Sequence, residues 1–258
     1  MSPDPEPPVT VVTGGTTGIG LAVVRRFLTA GHRVAWLGQN RARVAATQAA
    51  LTAEFGADHV YAATVDLRDG AAIRGFAGDV ATLWALPGIL VANAGISPKR
   101  NGARVPFAEI GLDEWNDVLS VNLTGAMLCC QAVAPGMAAR GFGRIILIGS
   151  IAARAMPRLA GASYVASKTA LSGLARSLVA EYAGQGVTIN TVAPGNILTD
   201  MLGDAASPAN QAALARVPAG RLGMPDDIAA VVAFLASPEA AFVNGAVIDV
   251  NGGEYLPA

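Results

Sequence analysis

Two side chains suited to moving a proton stand four residues apart in this chain, Tyr164 and Lys168. The stretch 163–183 around them has a helical pattern. On a helix, that spacing sets both side chains on one face, about a turn apart. A cation beside a phenol favours the phenolate and draws its pKa down from an ordinary value of about 10. Such a tyrosine can pass a proton to or from a carbonyl or alcohol oxygen. Lysine is scarce here: Lys99 and Lys168 are the only two among 18 basic residues. Arginine carries the rest of the positive charge, so a lysine at this position marks a specific need. Taken alone, the same pair could be an ordinary surface pair.

Other residues supply what such a pair requires. Ser150 follows the apolar run 144–148 and falls at the carboxyl edge of a strand. Its hydroxyl can donate to a developing oxyanion, or it can simply cap a turn. Asn122 lies in the uncharged stretch Val118–Ala139. A buried asparagine needs partners, so it is either a satisfied core amide or part of the polar machinery. Near the start, the strand-like run Val9–Thr13 passes into Gly14-Gly15-Thr16-Thr17-Gly18-Ile19-Gly20, and a helical stretch follows. Glycines between a strand and a helix let backbone N–H groups approach a pyrophosphate at the positive end of the helix. The spacing T-G-x-x-x-G-I-G is wider than the usual G-x-G-x-x-G dinucleotide pattern.

The elements that must position these groups alternate along the chain. Strand-like runs fall at 9–13, 33–37, 60–65, 89–93, 144–148, 187–192 and 246–250. Helical stretches fall at 18–30, 41–55, 71–84, 113–139, 163–183 and 226–236. Strands alternating with long helices imply βαβ units and a parallel sheet. Strands that are apolar throughout imply helices on both sheet faces. The expectation is an α/β fold: one Rossmann-like domain over 9–258, a doubly wound seven-stranded parallel sheet, preceded by a flexible arm, Met1–Pro8. Two segments interrupt the alternation, Ser97–Glu109 and Thr199–Gly223. Both begin at the carboxyl ends of strands, where ligands bind in open α/β sheets. The second is long enough to suggest a lid or binding loop.

Composition narrows the function. Of the 258 residues 52% are hydrophobic, which excludes a wholly disordered chain. The net charge of -1 lacks the basic excess of a nucleic-acid-binding surface. The two cysteines, Cys129 and Cys130, are adjacent and far from His32 and His59. They suggest neither a disulfide framework nor a metal cluster, but reduced, buried thiols in a cytoplasmic protein. The arm, with four prolines and two acids, is unlike a secretory signal. The uncharged run contains Asn122, Gln131 and Pro135 and reads as a buried helix, not a membrane span.

Taken together, TGGTTGIG at Thr13–Gly20, NAG at Asn93–Gly95, Asn122, Ser150, YVASK at Tyr164–Lys168 and PGNILT at Pro194–Thr199 resemble the short-chain dehydrogenase/reductase family. The resemblance runs from about Val9 to Gly253. It implies a nicotinamide cofactor and hydride transfer to or from a carbonyl carbon. Carried over, Tyr164 is the general acid/base. Lys168 lowers its pKa and holds the nicotinamide ribose, Ser150 polarises the substrate oxygen, and Asn122 holds a water in a relay behind Lys168. Gly14, Thr16, Thr17, Gly18, Ile19 and Gly20 form the phosphate turn. Asp66 and Leu67, with Asn93, Ala94 and Gly95, border the adenosine side. Pro194, Gly195, Ile197 and Thr199 border the nicotinamide. Two departures stand out. Ser150 precedes Tyr164 by fourteen residues, where the family usually has thirteen, and Asn196 takes a place that is often apolar. Ser163 is a poor substitute for Ser150, since helix neighbours face apart.

The second strand leads into Gly38-Gln39-Asn40-Arg41. An acid in the place of Gly38 would bind the ribose hydroxyls and repel a 2′-phosphate. Its absence favours NADP(H) over NAD(H), with Gln39, Arg41 and Arg43 as candidate contacts. Thr17 holds a place that is often basic in NADP users. The stretches Val121–Met127, Thr199–Met201 and Gly220–Ala229 resemble the 3-oxoacyl-thioester reductases of the family, and also its sugar and polyol dehydrogenases. The first expectation is an NADP(H)-dependent reductase of a ketone such as a 3-oxoacyl thioester. The second is an NAD(P)-dependent alcohol, sugar or polyol dehydrogenase, and the third a dinucleotide-binding protein without catalysis. The resemblance also implies a homo-oligomer, a tetramer or dimer, paired through helices 113–139 and 163–183 and the last strand. The tail Glu254–Ala258 could reach a neighbour's pocket.

Overall fold

The computed structural model describes residues 7–204 and 206–257. The expected arm, Met1–Pro8, thus lies outside the described residues except for Pro7 and Pro8. The chain runs β1 (Thr10–Thr13), α1 (Gly18–Thr29), β2 (Val34–Gly38), α2 (Arg41–Phe55), β3 (Val60–Thr64), α3 (Gly70–Leu83) and β4 (Ile89–Ala92). A small hairpin follows, β5 (Lys99–Arg100) and β6 (Ala103–Arg104). Then come α4 (Leu112–Leu119), a π-helical turn (Ser120–Thr124), α5 (Gly125–Ala139), β7 (Gly143–Ile148), α6 (Ala162–Tyr182) and β8 (Val187–Pro194). The chain closes with α7 (Pro208–Leu214), α8 (Pro225–Ala236) and β9 (Val247–Val250).

The seven-stranded sheet has the order β3-β2-β1-β4-β7-β8-β9, and every pairing in it is parallel. Connections leave β1 toward one edge and β4 toward the other. The connections therefore diverge and open a crevice beyond the carboxyl ends of these two strands, the place where such sheets bind ligands.

Alternation along each strand sorts its side chains into two cores. Val11, Leu37, Leu90, Ile145, Leu147 and Ile189 pack with Phe76, Val80, Val133 and Leu171 of α3, α5 and α6. Val12, Trp36, Val91, Ile146, Ile148 and Val192 pack with Val24, Phe27, Ile228 and Val232 of α1 and α8. Both faces are covered, so the inner strands are apolar throughout. Cys129 and Cys130 belong to the first core, both reduced, and burial pushes the Cys129 thiol up to about 12.

Three elements differ from the sequence expectation. The helix expected over 113–139 runs from Leu112 to Ala139 but contains the π-helical turn at Ser120–Thr124. It is apolar enough to cross a bilayer by length and composition. Here it packs on the sheet through Cys130, Val133, Ala134 and Met137. The segment Ser97–Glu109 carries the β5–β6 hairpin. Thr199–Gly223 carries α7, whose start is fixed by Pro208 and by Ser207, which accepts from Asn210 N at 3.3 Å. Neither short element has the apolar periodicity that reveals a helix or strand in sequence.

Candidate active site

The crevice is a cleft of about 610 Å³ at the carboxyl ends of the strands. Its floor joins β1 to β4. Thr13 Oγ1 accepts from the backbone N–H groups of Asn93 and Ala94 at 3.0 and 2.9 Å, and the Asn93 amide donates to Thr13 O at 2.9 Å. Gly14, Thr16, Thr17, Gly18, Ile19 and Gly20 line this end. Thr17 occupies the cap position of α1 but makes no side-chain cap bond, and the first turn holds no acid. Open N–H groups with uncompensated positive charge suit an anion. Gly18 has a φ of 53°, and a β-carbon there would stand 2.9 Å from Thr199 Cγ2. A β-carbon on Gly20 would stand 2.1 Å from Gly14 O. That neighbour is backbone and cannot swing aside. Gly20→Ala is therefore expected to cost about 1–3 kcal/mol by overpacking and to weaken dinucleotide binding at least tenfold. A thermal melt and a calorimetric titration with NADPH check both.

The adenosine side is less simple than its sequence. Asp66 and Leu67 line the cleft, as do Asn93, Ala94 and Gly95. Asp66 accepts from Gln39 at 3.0 Å and from Arg68, and the Arg68 bonds hold its carboxyl below the usual range. Gly38 faces Thr16 and Val44, whose carbons would lie 3.1 and 3.2 Å from an added β-carbon. Arg41 stands exposed in the first turn of α2 and is not among the residues that line the cleft. Arg43 reaches across the opening to Asp200 at 3.3 Å.

The reactive groups converge from β7 and α6. Ser150 follows β7 and accepts from Ala152 N at 3.1 Å, so it caps a short turn. It lines the cleft together with Tyr164, and its hydroxyl stands near enough to the phenol to favour the phenolate, so the extra residue between them is absorbed in the loop. Ser163, beside the tyrosine, is buried. Lys168 is buried, with Nζ 5.8 Å from the centre of the Tyr164 ring, and donates to Ile148 O at 2.7 Å. Loss of hydration pushes its pKa down to about 8. Burial raises the Tyr164 phenol, and the Ser150 hydroxyl opposes that rise. This net direction is the reverse of the one expected from a neighbouring cation. Loss of hydration is the largest influence on the phenol and sets that direction.

Asn122 sits in the π-helical turn, buried, with both amide hydrogens and one lone pair of its oxygen engaged. It accepts from Ile96 N at 2.8 Å, and donates to Ile96 O and Ser167 Oγ, each at 3.0 Å. Ser167 Oγ donates in turn to Tyr164 O at 2.7 Å. Asn122 therefore fixes the segment after β4 against the turn of α6 that carries the tyrosine and lysine. A β-carbon on Gly95 would stand 3.3 Å from both Asn122 Oδ1 and Lys168 Nζ, so the two groups face one space. Pro194, Gly195, Ile197 and Thr199 complete the cleft at the end of β8.

Sequence reasoning missed Arg216, Glu254 and Tyr255, which line the same cleft. The described part of the tail, Glu254–Pro257, thus supplies residues to this chain's own site. A charged residue directly after Gly252-Gly253, in a chain only 14% charged, was the available signal.

A family model described as enoyl-(acyl carrier protein) reductase matches residues 14–254. A D-threitol dehydrogenase of Mycolicibacterium smegmatis is 37% identical over 248 residues, covering 95% of this chain and 92% of its own. The crystal structure of a blue fluorescent protein from a metagenomic library in complex with NADPH superposes with a TM-score of 0.89 at 33% identity, covering 96% of this chain and 98% of the other. A 3-oxoacyl-(acyl-carrier protein) reductase with bound NAD from Brucella melitensis gives a TM-score of 0.88 at 32% identity, covering 97% and 92%.

Proposed function

This chain belongs to the short-chain dehydrogenase/reductase family, and on that premise we propose that it is an NADP(H)-dependent enzyme that interconverts a ketone and its secondary alcohol. The observation that carries the reading is that Ser150, Tyr164 and Lys168 line the same cleft that begins at the glycine turn. Two hydroxyls lining one cleft suit a substrate oxygen that gains negative charge as hydride arrives.

The uncapped start of α1 and the glycine turn would hold the pyrophosphate. Asp66, Leu67, Asn93, Ala94 and Gly95 would flank the adenosine, and Pro194, Gly195, Ile197 and Thr199 the nicotinamide end. Reduced nicotinamide dinucleotide, when bound, supplies the hydride for the carbonyl carbon. Tyr164 gives its phenolic proton to the oxygen that gains charge, and Ser150 donates a hydrogen bond to the same oxygen. Lys168 steadies the phenolate that remains. Asn122 and Lys168 face one another near Gly95, and a water held between them would return the proton to Tyr164.

The choice of NADP(H) rests on Gly38. Where an acid would repel a 2′-phosphate, this chain has a glycine walled by Thr16 and Val44. The Arg43–Asp200 pair is largely exposed, and such pairs contribute about 0–1 kcal/mol. Releasing Arg43 toward a phosphate therefore costs little. Gly38→Asp is expected to lower NADPH affinity about tenfold relative to NADH through like-charge repulsion. Titration of both dinucleotides into the two proteins, followed by fluorescence, tests this. Tighter binding of NADH by the parent protein would overturn the cofactor choice.

The reductase with bound NAD supports a ketone substrate, and the threitol dehydrogenase supports a hydroxylated one. The enzyme would work as a homo-oligomer in the cytoplasm. Exposed Leu112, Phe234 and Phe242 offer apolar surface for a second copy.

A further inference from the structure

The cleft also holds a charged cluster that the proton-transfer groups do not use. The Asn196 amide donates to Glu254 Oε2 at 2.7 Å, and the Arg216 guanidinium donates to Oε1 at 3.4 Å. The Glu254 side chain is 11% exposed and that of Arg216 32%. Arg216 also donates to Ala212 O at 2.5 Å. All three line the same cleft as Ser150 and Tyr164. They come from separate parts of the chain: the turn after β8, the segment after α7, and the stretch beyond β9.

Backbone packing, not a loose tail, sets the position of Glu254. Gly252 and Gly253 have φ values of 63° and 88°. They lie so close to Val217 and Pro218 that added β-carbons would come within 2.7 and 3.1 Å. Ala219 N donates to Gly252 O at 3.0 Å, and Gly253 N to Asn251 Oδ1 at 2.8 Å.

A carboxylate withdrawn from water is costly unless donors meet its charge. Two donors do so, yet a carboxylate has about four lone-pair sites, so accepting capacity remains. A hydroxyl matches this surface: it can donate to Glu254 while accepting from Arg216 or Asn196. An aliphatic chain would displace water from these groups and return no hydrogen bond. We propose that Asn196, Arg216 and Glu254 form a hydroxyl-recognition site, and that the substrate is a small ketone or secondary alcohol with neighbouring hydroxyl groups, of polyol or sugar type, not an acyl thioester. This rests on the ketone–alcohol reading and names the substrate class of that site.

Steady-state kinetics of the full chain with NADPH and three carbonyl probes test it: erythrulose, 2-pentanone and acetoacetyl-coenzyme A. The expected kcat/KM for erythrulose exceeds the other two at least about tenfold, because a site built for a hydroxyl rejects analogues that lack it. Glu254→Gln keeps the shape and removes the charge. It is expected to lower the erythrulose to 2-pentanone ratio about tenfold, through KM. Asn196→Leu is expected to lower the same ratio, and melting temperatures of both variants show that they fold. Preference for acetoacetyl-coenzyme A or 2-pentanone overturns the proposal. So does an equal loss for all probes in Glu254→Gln, which would mark a purely structural strap. Dinucleotide binding with no turnover of any probe overturns the substrate class alone. Failure to bind either NADPH or NADH overturns it together with the reading beneath it.

Discussion

Tyr164→Phe is expected to lower turnover about a thousandfold, or about 4 kcal/mol of barrier, while the protein still folds and binds NADPH. The substitution removes one oxygen from a side chain whose ring is held by α6. Ser150 and the bond from Ser167 Oγ to Tyr164 O remain in place. What disappears is the group proposed to hand a proton to the substrate oxygen. Burial already raises the phenol above its ordinary value, so at neutral pH it carries the proton that reduction needs. Alcohol oxidation needs the phenolate and should therefore quicken as pH rises, whereas reduction should fall at alkaline pH. Single-turnover kinetics in both directions, with NADPH binding as the control, test this. Turnover within tenfold of the parent protein would favour a dinucleotide-binding protein without catalysis by this tyrosine.

Lys168→Met is expected to act in opposite senses on activity and stability. Burial depresses the lysine pKa from 10.5 to about 8. Between those values the unfolded chain holds more protons than the folded one, so stability rises as pH climbs through this window. Below about pH 8 the buried ammonium costs about 3 kcal/mol. Methionine removes that cost but leaves Ile148 O without its donor, a loss of about 1 kcal/mol. The net gain of about 2 kcal/mol near neutral pH corresponds to roughly 5 °C in Tm, and above about pH 10.5 it should reverse to a loss of about 1 kcal/mol, since only the missing hydrogen bond then counts. Activity should fall together with that of Tyr164→Phe, since the phenolate loses its neighbouring charge. A variant less stable than the parent at pH 7 would show that Lys168 supports the fold instead of straining it.

Much of the site was legible because it depends on short-range geometry. The glycine turn could be read from Thr13–Gly20, since a strand, closely spaced glycines and a helix are local requirements. The Tyr164–Lys168 pair followed from one helical turn. The strands were legible because helices on both sheet faces make them apolar throughout. The π-helical turn at Ser120–Thr124 was not, because nothing in 120–124 itself marks a departure from the helical pattern around it. Nor was the engagement of Asn122 with Ile96 and Ser167, whose partners lie 26 and 45 residues away.

By itself, the sequence determined the order of the seven sheet strands and the long helices, the family, and the tyrosine, serine and lysine proposed to react. These rest on periodicities and spacings confined to single strands, turns and helices. Only the tertiary structure decided the balance of charge at the site. It showed that burial raises the phenol, that Arg43 is drawn to Asp200, and that Arg41 stands outside the cleft. It also brought Asn196, Arg216 and Glu254 together from three distant segments. Desolvation and long-range ion pairing depend on what surrounds a group in space, and residue order alone does not specify those surroundings.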